Sequence, residues 1–183
     1  MPVKNKSEKT AVLRKQPSGP CKALYEDTLY LPEGCTVLDF GCGYEDDVKF
    51  LKSKGYKVTG YDPYYNPNTD LHISKKYELV MSNYVLGCIE NIQERNNLIM
   101  FMWDRVQSGG CLSIAVKSKD YVYKASRKFN WTNHKDGWLT AEGVFHKGYN
   151  EDQLTVLVMN LPNVAFIETS TPNKFISVRV LKR

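Results

Sequence analysis

Asp39, Gly41 and Gly43 alternate with other residues in "LDFGCGYEDD", and three carboxylates, Glu45, Asp46 and Asp47, follow them. Closely spaced glycines let the backbone approach a ligand. In the GxGxxG pattern a third glycine brings a helix start against a pyrophosphate, whose charge the helix dipole stabilises. Here the third position is Asp46, and three acids at a helix start repel a pyrophosphate but tolerate a cation. Asp62 stands 23 residues after Asp39. At the end of a second strand it can accept hydrogen bonds from both hydroxyls of a ribose. A nucleoside bearing positive charge and no phosphate fits both observations, and S-adenosylmethionine, with its sulfonium and ammonium, is such a molecule.

Positioning these groups requires a strand, a tight turn, a helix and a second strand. "TVLDF" is a short apolar run ending at the glycines, as in a buried strand. "DDVKFLKSKGY" turns Val48 and Leu51 inward and stops at Gly55. "KVTGYD" is the next strand, so half of a nucleotide-binding α/β sheet is present. "YELVMS" predicts another buried strand ending at Asn83. Asn91 and Glu94 predict a capping box, before a helix carrying Ile99, Met102, Trp103 and Val106 up to Gly109 and Gly110. "CLSIAVK" is a further strand, and Asn150 with Gln153 opens a helix with Leu154, Leu157, Val158 and Leu161 on one face. "AFIETS" and "FISVRVLK", joined by "TPNK", predict an antiparallel hairpin. The fold class is α/β, a mostly parallel sheet closing in a C-terminal hairpin.

Length and composition bound the rest. A chain of 183 residues, 42% hydrophobic and 25% charged, suits one compact domain. No apolar run has transmembrane length and no signal-peptide pattern occurs. Five cysteines in no CxxC spacing read as reduced thiols of a cytoplasmic protein. With His72, His134 and His146 far apart, no metal site is expected. The net charge of +5 is concentrated in residues 1–22 and 117–149, which suits a polyanionic partner, although solvated basic tails account for the same charges. Residues 1–22, with "KQPSGP", read as a basic, mobile N-terminal arm, and 23–183 as a single domain.

"VLDFGCGYED", "GYDP" and "YELVMSNYVLGCIEN" resemble the first motif, the ribose-binding acid and the fourth strand of class I S-adenosylmethionine-dependent methyltransferases. More narrowly, "KTAVLRKQPSGP", "LDFGCGYEDDVKFL", "GYDP", "VLGCIENIQER" and "DGWLTAEGVFHKGY", spread over roughly residues 9–160, resemble the DNA phosphorothioation-associated methyltransferase family. The resemblance implies a Rossmann-like sheet, S-adenosylmethionine as cofactor, and DNA as the nucleic acid methylated. It also implies that Asp39, Gly41 and Gly43 underlie the methionine part, that Asp62 binds the ribose with Pro63 and Tyr64 beside the adenine, and that Ser82 and Asn83 face the reactive methyl. Two departures stand out. Glu45 occupies the place of a frequent third glycine, and the 15 residues between Asp62 and Glu78 are too few for the usual helix and strand. The adenine pocket is then open or closed by "PYYNPNTD". No "NPPY"-type motif follows the fourth strand.

Residues 118–149 form an insert that interleaves Tyr121, Tyr123, Phe129, Trp131, Trp138, Phe145 and Tyr149 with lysines and arginines. Such interleaving suits bases stacked beside a phosphate backbone, or else a small core of the insert's own. Trp131, Trp138, Phe145 and Lys147, together with Arg14 from an arm closing over the site, are the expected substrate contacts. His146 and Asp136 are the candidate bases, and a lone histidine on a basic loop also reads as a packing residue. A small-molecule or protein acceptor, or cofactor binding without catalysis, are the alternatives.

Overall fold

The computed structural model describes residues 6–67, 75–172 and 174–183. His72 and the end of the "PYYNPNTD" loop lie outside the described residues. A 3-10 turn, Ser7–Thr10, precedes helix α1, Gly19–Tyr25. Strand β1, Thr36–Phe40, leads through the glycines into α2, Asp46–Ser53, and on to β2, Lys57–Tyr61. Strand β3, Tyr77–Asn83, a 3-10 turn at Leu86–Cys88, helix α3, Ile92–Trp103, and strand β4, Val106–Lys117, follow. The insert contains helix α4, Lys119–Lys128, and strands β5, Thr132–His134, β6, Gly137–Leu139, and β7, Phe145–His146. Helix α5, Glu151–Val158, and strands β8, Val164–Ser170, and β9, Phe175–Lys182, complete the described elements.

Six strands form the main sheet in the order β2-β1-β3-β4-β9-β8. The first four run parallel, and β9 is antiparallel to both β4 and β8. This is the mostly parallel α/β sheet with a closing hairpin that the apolar runs predicted, and the Rossmann-like arrangement that the resemblance implied. β1 is buried on both faces, as a central parallel strand should be. Its alternation divides the core. Leu38 and Phe40 join Ile99, Met102 and Trp103 of α3 and Leu154 and Val158 of α5. Val37 instead joins Cys21 and Leu24 of α1 and Val48 and Leu51 of α2. Helices therefore cover both faces, and the carboxyl ends of β1, β2 and β3 share one edge.

Local signals account for most boundaries. Asn150 and Gln153 form the reciprocal cap of α5, at 2.9 and 3.2 Å. At α3 only the Asn91 half of the box forms, accepting from the backbone N–H groups of Gln93 and Glu94. β4 begins earlier than expected, because Gly109 and Gly110 continue the strand past a register shift against β3. The arm boundary at residue 22 falls inside α1, where Pro20 and Cys21 are already buried. The described cysteines are all free, buried except for half-buried Cys42. Among the described residues, no helix is long and apolar enough to cross a membrane, and no cluster of metal-ligating side chains occurs.

Candidate functional site

Strand ends build the site. β1 and β2 run in register, Asp39 beside Gly60 and Phe40 beside Tyr61. The Tyr61 carbonyl then accepts from the N–H groups of Gly41 (2.7 Å) and Cys42 (3.0 Å), so the glycine turn is pinned against the start of the Asp62 turn. Gly41 has φ of 81°, and a Cβ there would stand 2.2 Å from a Val85 methyl, so no side chain fits. Tyr84, directly after β3, holds φ of 68°, a conformation that costs energy for a non-glycine residue and is common at functional sites.

The acids after the glycines each bind a distant donor. Glu45 accepts from the Asn66 amide at 2.8 Å, and Asp46 from the Arg14 backbone N–H at 2.8 Å. Asp47 accepts from the Ser18 N–H (2.6 Å), the Ser18 hydroxyl (2.7 Å) and the Asn83 amide (3.1 Å). Glu45, at the N-cap, makes no side-chain cap bond. These contacts fasten residues 14–18 over the glycine turn, so the arm is part of the site. Farther out, the Lys6 ammonium donates to the Glu142 carbonyl, and the Tyr65 hydroxyl to the Glu8 carbonyl, both at 2.8 Å.

Beneath this strap lies a cavity of about 530 Å³. Gly41, Gly43, Asp62, Pro63, Tyr64 and Asn83 line it, as does Arg14. Asp39 and Ser82 are brought to the same strand ends but lie beneath the wall. Asp39 is 2% exposed, and burial, with the Asp47 carboxylate nearby, pushes its carboxyl well above the usual range. Ser82 is buried and donates its hydroxyl to the Phe40 carbonyl. Asp62 was expected to present both oxygens. Its Oδ1 already accepts from the N–H groups of Tyr64 (2.9 Å) and Tyr65 (3.1 Å), and its Oδ2 from Gly43 (3.1 Å), so one lone pair remains open.

The insert reaches the cavity through Tyr121 and not through the residues expected. Trp131, Trp138, Phe145, His146 and Lys147 are absent from its wall. They pack on their own three-stranded sheet: Trp131 stacks on His146 with ring centroids 4.7 Å apart, Trp138 meets Tyr123, and Phe145 is buried against His134. Burial lowers the His146 imidazole to about 4, with Lys117 adding repulsion. Asp136 is held at about 2 by a two-pronged pair with Arg95, at 2.6 and 2.8 Å, and by Lys147 at 3.1 Å. Neither candidate base stands at the site. The expected contacts omitted Glu8, Tyr84, Lys117, Tyr121 and Lys174 of the wall; Tyr121 carried a signal as one of the insert's aromatics, and Tyr84 through its place next to Asn83.

A family model described as a methyltransferase domain matches residues 13–157. The chain belongs to this methyltransferase family. No curated protein sequence matches at a significant level. Among solved structures, the chain is similar to a SAM-dependent methyltransferase from Methanosarcina mazei (TM-score 0.64, 20% identity, covering 84% of this chain and 95% of that one). It is also similar to the 1,6-didemethyltoxoflavin-N1-methyltransferase of Burkholderia thailandensis, solved with 1,6-didemethyltoxoflavin and S-adenosylhomocysteine (TM-score 0.65, 12% identity, 98% and 79% coverage). The CcbJ methyltransferase from Streptomyces caelestis is a third (TM-score 0.63, 14% identity, 91% and 90% coverage).

The methyltransferase uses S-adenosylmethionine. Its residues fit that cofactor: the cavity lies in the size range of small-ligand sites, the glycine turn allows close approach, and the wall offers carboxylates to a molecule that carries donors and positive charge. Bound there, S-adenosylmethionine supplies a sulfonium methyl open to direct displacement.

Proposed function

We propose that this S-adenosylmethionine-dependent methyltransferase acts on a small molecule. The observation that carries the reading is the roofed cavity: residues 7–14 cover it, Tyr121 of the insert joins its wall, and Trp131, Trp138 and Phe145 pack within the insert. An acceptor bound there sits within a small volume and not along a surface groove. Lys117, Lys174 and Arg14 in the wall, with Tyr84 and Tyr121, favour a flat acceptor carrying negative charge.

In this reading Asp62 receives a ribose hydroxyl, and Gly41 and Gly43 pass under the methionine part. Asp39, below them, adds negative potential toward the sulfonium. Asn83 positions the acceptor. Its Nδ2 is committed to Asp47 and Ser18, at 3.1 and 3.4 Å, which leaves Oδ1 to accept from an acceptor N–H or O–H. Holding two reactants in line accounts for much of such a rate acceleration, on the order of 7–11 kcal/mol in well-oriented systems. Asn83 does not remove a proton, and an amine acceptor can lose its own after transfer.

A DNA acceptor, implied by the narrower resemblance to the phosphorothioation-associated family, keeps one observation in its favour. Phe129, 59% exposed, stacks on Trp131 beside exposed Lys124, Arg127 and Lys128. Calorimetry and labelled-methyl transfer test both readings. Wild type should bind S-adenosylhomocysteine and Asp62→Ala should bind it at least tenfold more weakly. Label from S-adenosylmethionine should then enter the low-molecular-mass fraction of a cell extract. Label in DNA, with transfer falling steeply as salt rises, would establish the other acceptor.

A further inference from the structure

The ribose of the cofactor carries two neighbouring hydroxyls, and both are hydrogen-bond donors. A carboxylate offers about four lone-pair sites, and three of those on Asp62 are taken by the N–H groups of Gly43, Tyr64 and Tyr65. One site remains for two hydroxyls. Either the Asp62 turn opens, or a second acceptor stands nearby.

Such an acceptor exists on the strap. Glu8 lines the same cavity, and its Oε2 is buried without a hydrogen-bond partner. A buried carboxylate oxygen left unpaired costs free energy that a donor in the cavity would recover once the Glu8 side chain turns that oxygen toward it. The two acids are also joined through the backbone. Tyr65, whose N–H caps Asp62, donates its hydroxyl to the Glu8 carbonyl at 2.8 Å. The turn carrying Glu8 is thereby held against the turn carrying Asp62, independently of the Glu8 side chain.

We propose that Glu8 is a cofactor-binding residue, taking the second ribose hydroxyl that the Asp62 carboxylate cannot. This rests on the S-adenosylmethionine site described above and extends it to a residue 54 positions before Asp62 in the chain. It makes the strap a direct participant in cofactor affinity and not only a cover. Ordering of residues 7–14 and occupation of the nucleoside half of the cavity then favour one another.

Calorimetry with S-adenosylhomocysteine on the full chain tests the proposal. Glu8→Ala should weaken binding about tenfold or more, the usual loss for a hydrogen bond to a charged group. Glu8→Gln, which keeps an uncharged acceptor, should fall between Glu8→Ala and wild type. Lys9→Ala, an exposed change on the same turn, should bind as wild type does. The unliganded melting temperature of Glu8→Ala should not fall, which separates a lost contact from a lost fold. The 2′-deoxy and 3′-deoxy analogues of S-adenosylhomocysteine then identify the partner: with one of them, wild type and Glu8→Ala should bind alike. Unchanged affinity of Glu8→Ala for S-adenosylhomocysteine would overturn the proposal. So would a deficit that persists with both deoxy analogues, or one that disappears with S-inosylhomocysteine, which lacks the adenine amine. Failure of wild type itself to bind S-adenosylhomocysteine sinks the underlying site reading, and it is visible before any substitution is made.

Discussion

At the scale of single residues, the acids around the glycine turn divide into those satisfied by the chain and one that is not. Asp47 is buried but surrounded by Ser18 and Asn83 donors. Asp39 is pushed up first by burial and then by three carboxylates, those of Asp47, Asp62 and Glu45, acting against its charge. A carboxyl raised in the fold contributes stability below its ordinary value that is lost as pH rises through the folded value. At neutral pH Asp39 therefore weakens the unliganded protein. Asp39→Asn should raise the unliganded melting temperature at pH 7 by a few degrees, roughly 2–4 °C per kcal/mol at this chain size. The gain should shrink toward pH 4, and affinity for S-adenosylmethionine, which carries the sulfonium charge, should drop. A lower melting temperature at pH 7, read by scanning calorimetry, would contradict the burial account. The trade is one in which a strained site gives up stability for function.

At the scale of elements, a buried cation helps attach the insert, beside the pairing of His134 and Lys135 with Glu90. Arg95 on α3, 1% exposed, donates to the carbonyls of Ile89 and Glu90 and reaches across to Asp136. Asp136→Ala leaves that guanidinium without its carboxylate, and breaking such a pair is costly because one partner stays buried. We expect roughly 2–4 kcal/mol of destabilisation in urea unfolding, although Asp136 is itself 42% exposed. The insert was also where reading the chain alone left the choice open, between ligand contacts and a small core of the insert's own. Runs such as "TVLDF" and "YELVMS" have no fate other than a buried strand, and Asn150 with Gln153 can cap only one helix end, so these were legible. Trp131, Trp138 and Phe145 carry no such constraint. An aromatic beside a lysine looks the same whether it faces a ligand or a neighbouring strand, and the pairing of β5, β6 and β7 joins residues that local periodicity does not connect. That an arm closes over the site was legible, but its anchoring was not, because Asp46 and Asp47 lie 32 and 29 residues from the donors they hold.

At the scale of the whole molecule, stability should depend on acid through the insert. The His146 imidazole sits at about 4, below its ordinary 6.5. A histidine depressed in this way contributes stability above 6.5 that is lost as pH falls toward the folded value. This sign is opposite to that of Asp39. His146→Phe, which keeps a ring against Trp131, should lose less melting temperature than wild type between pH 6.5 and 4, and parallel curves would remove His146 from the account. A last consequence concerns the sulfur atoms. All five thiols are free, and burial pushes those of Cys35 and Cys111 up to about 11 and about 12, and those of Cys21 and Cys42 higher still. Only the thiolate attacks a disulfide reagent, so the native chain should be nearly silent in a colorimetric thiol assay near pH 7. An unfolded chain would release five equivalents. The protein thus carries its own counter of opened molecules, readable without a fluorophore, a tag or a known substrate.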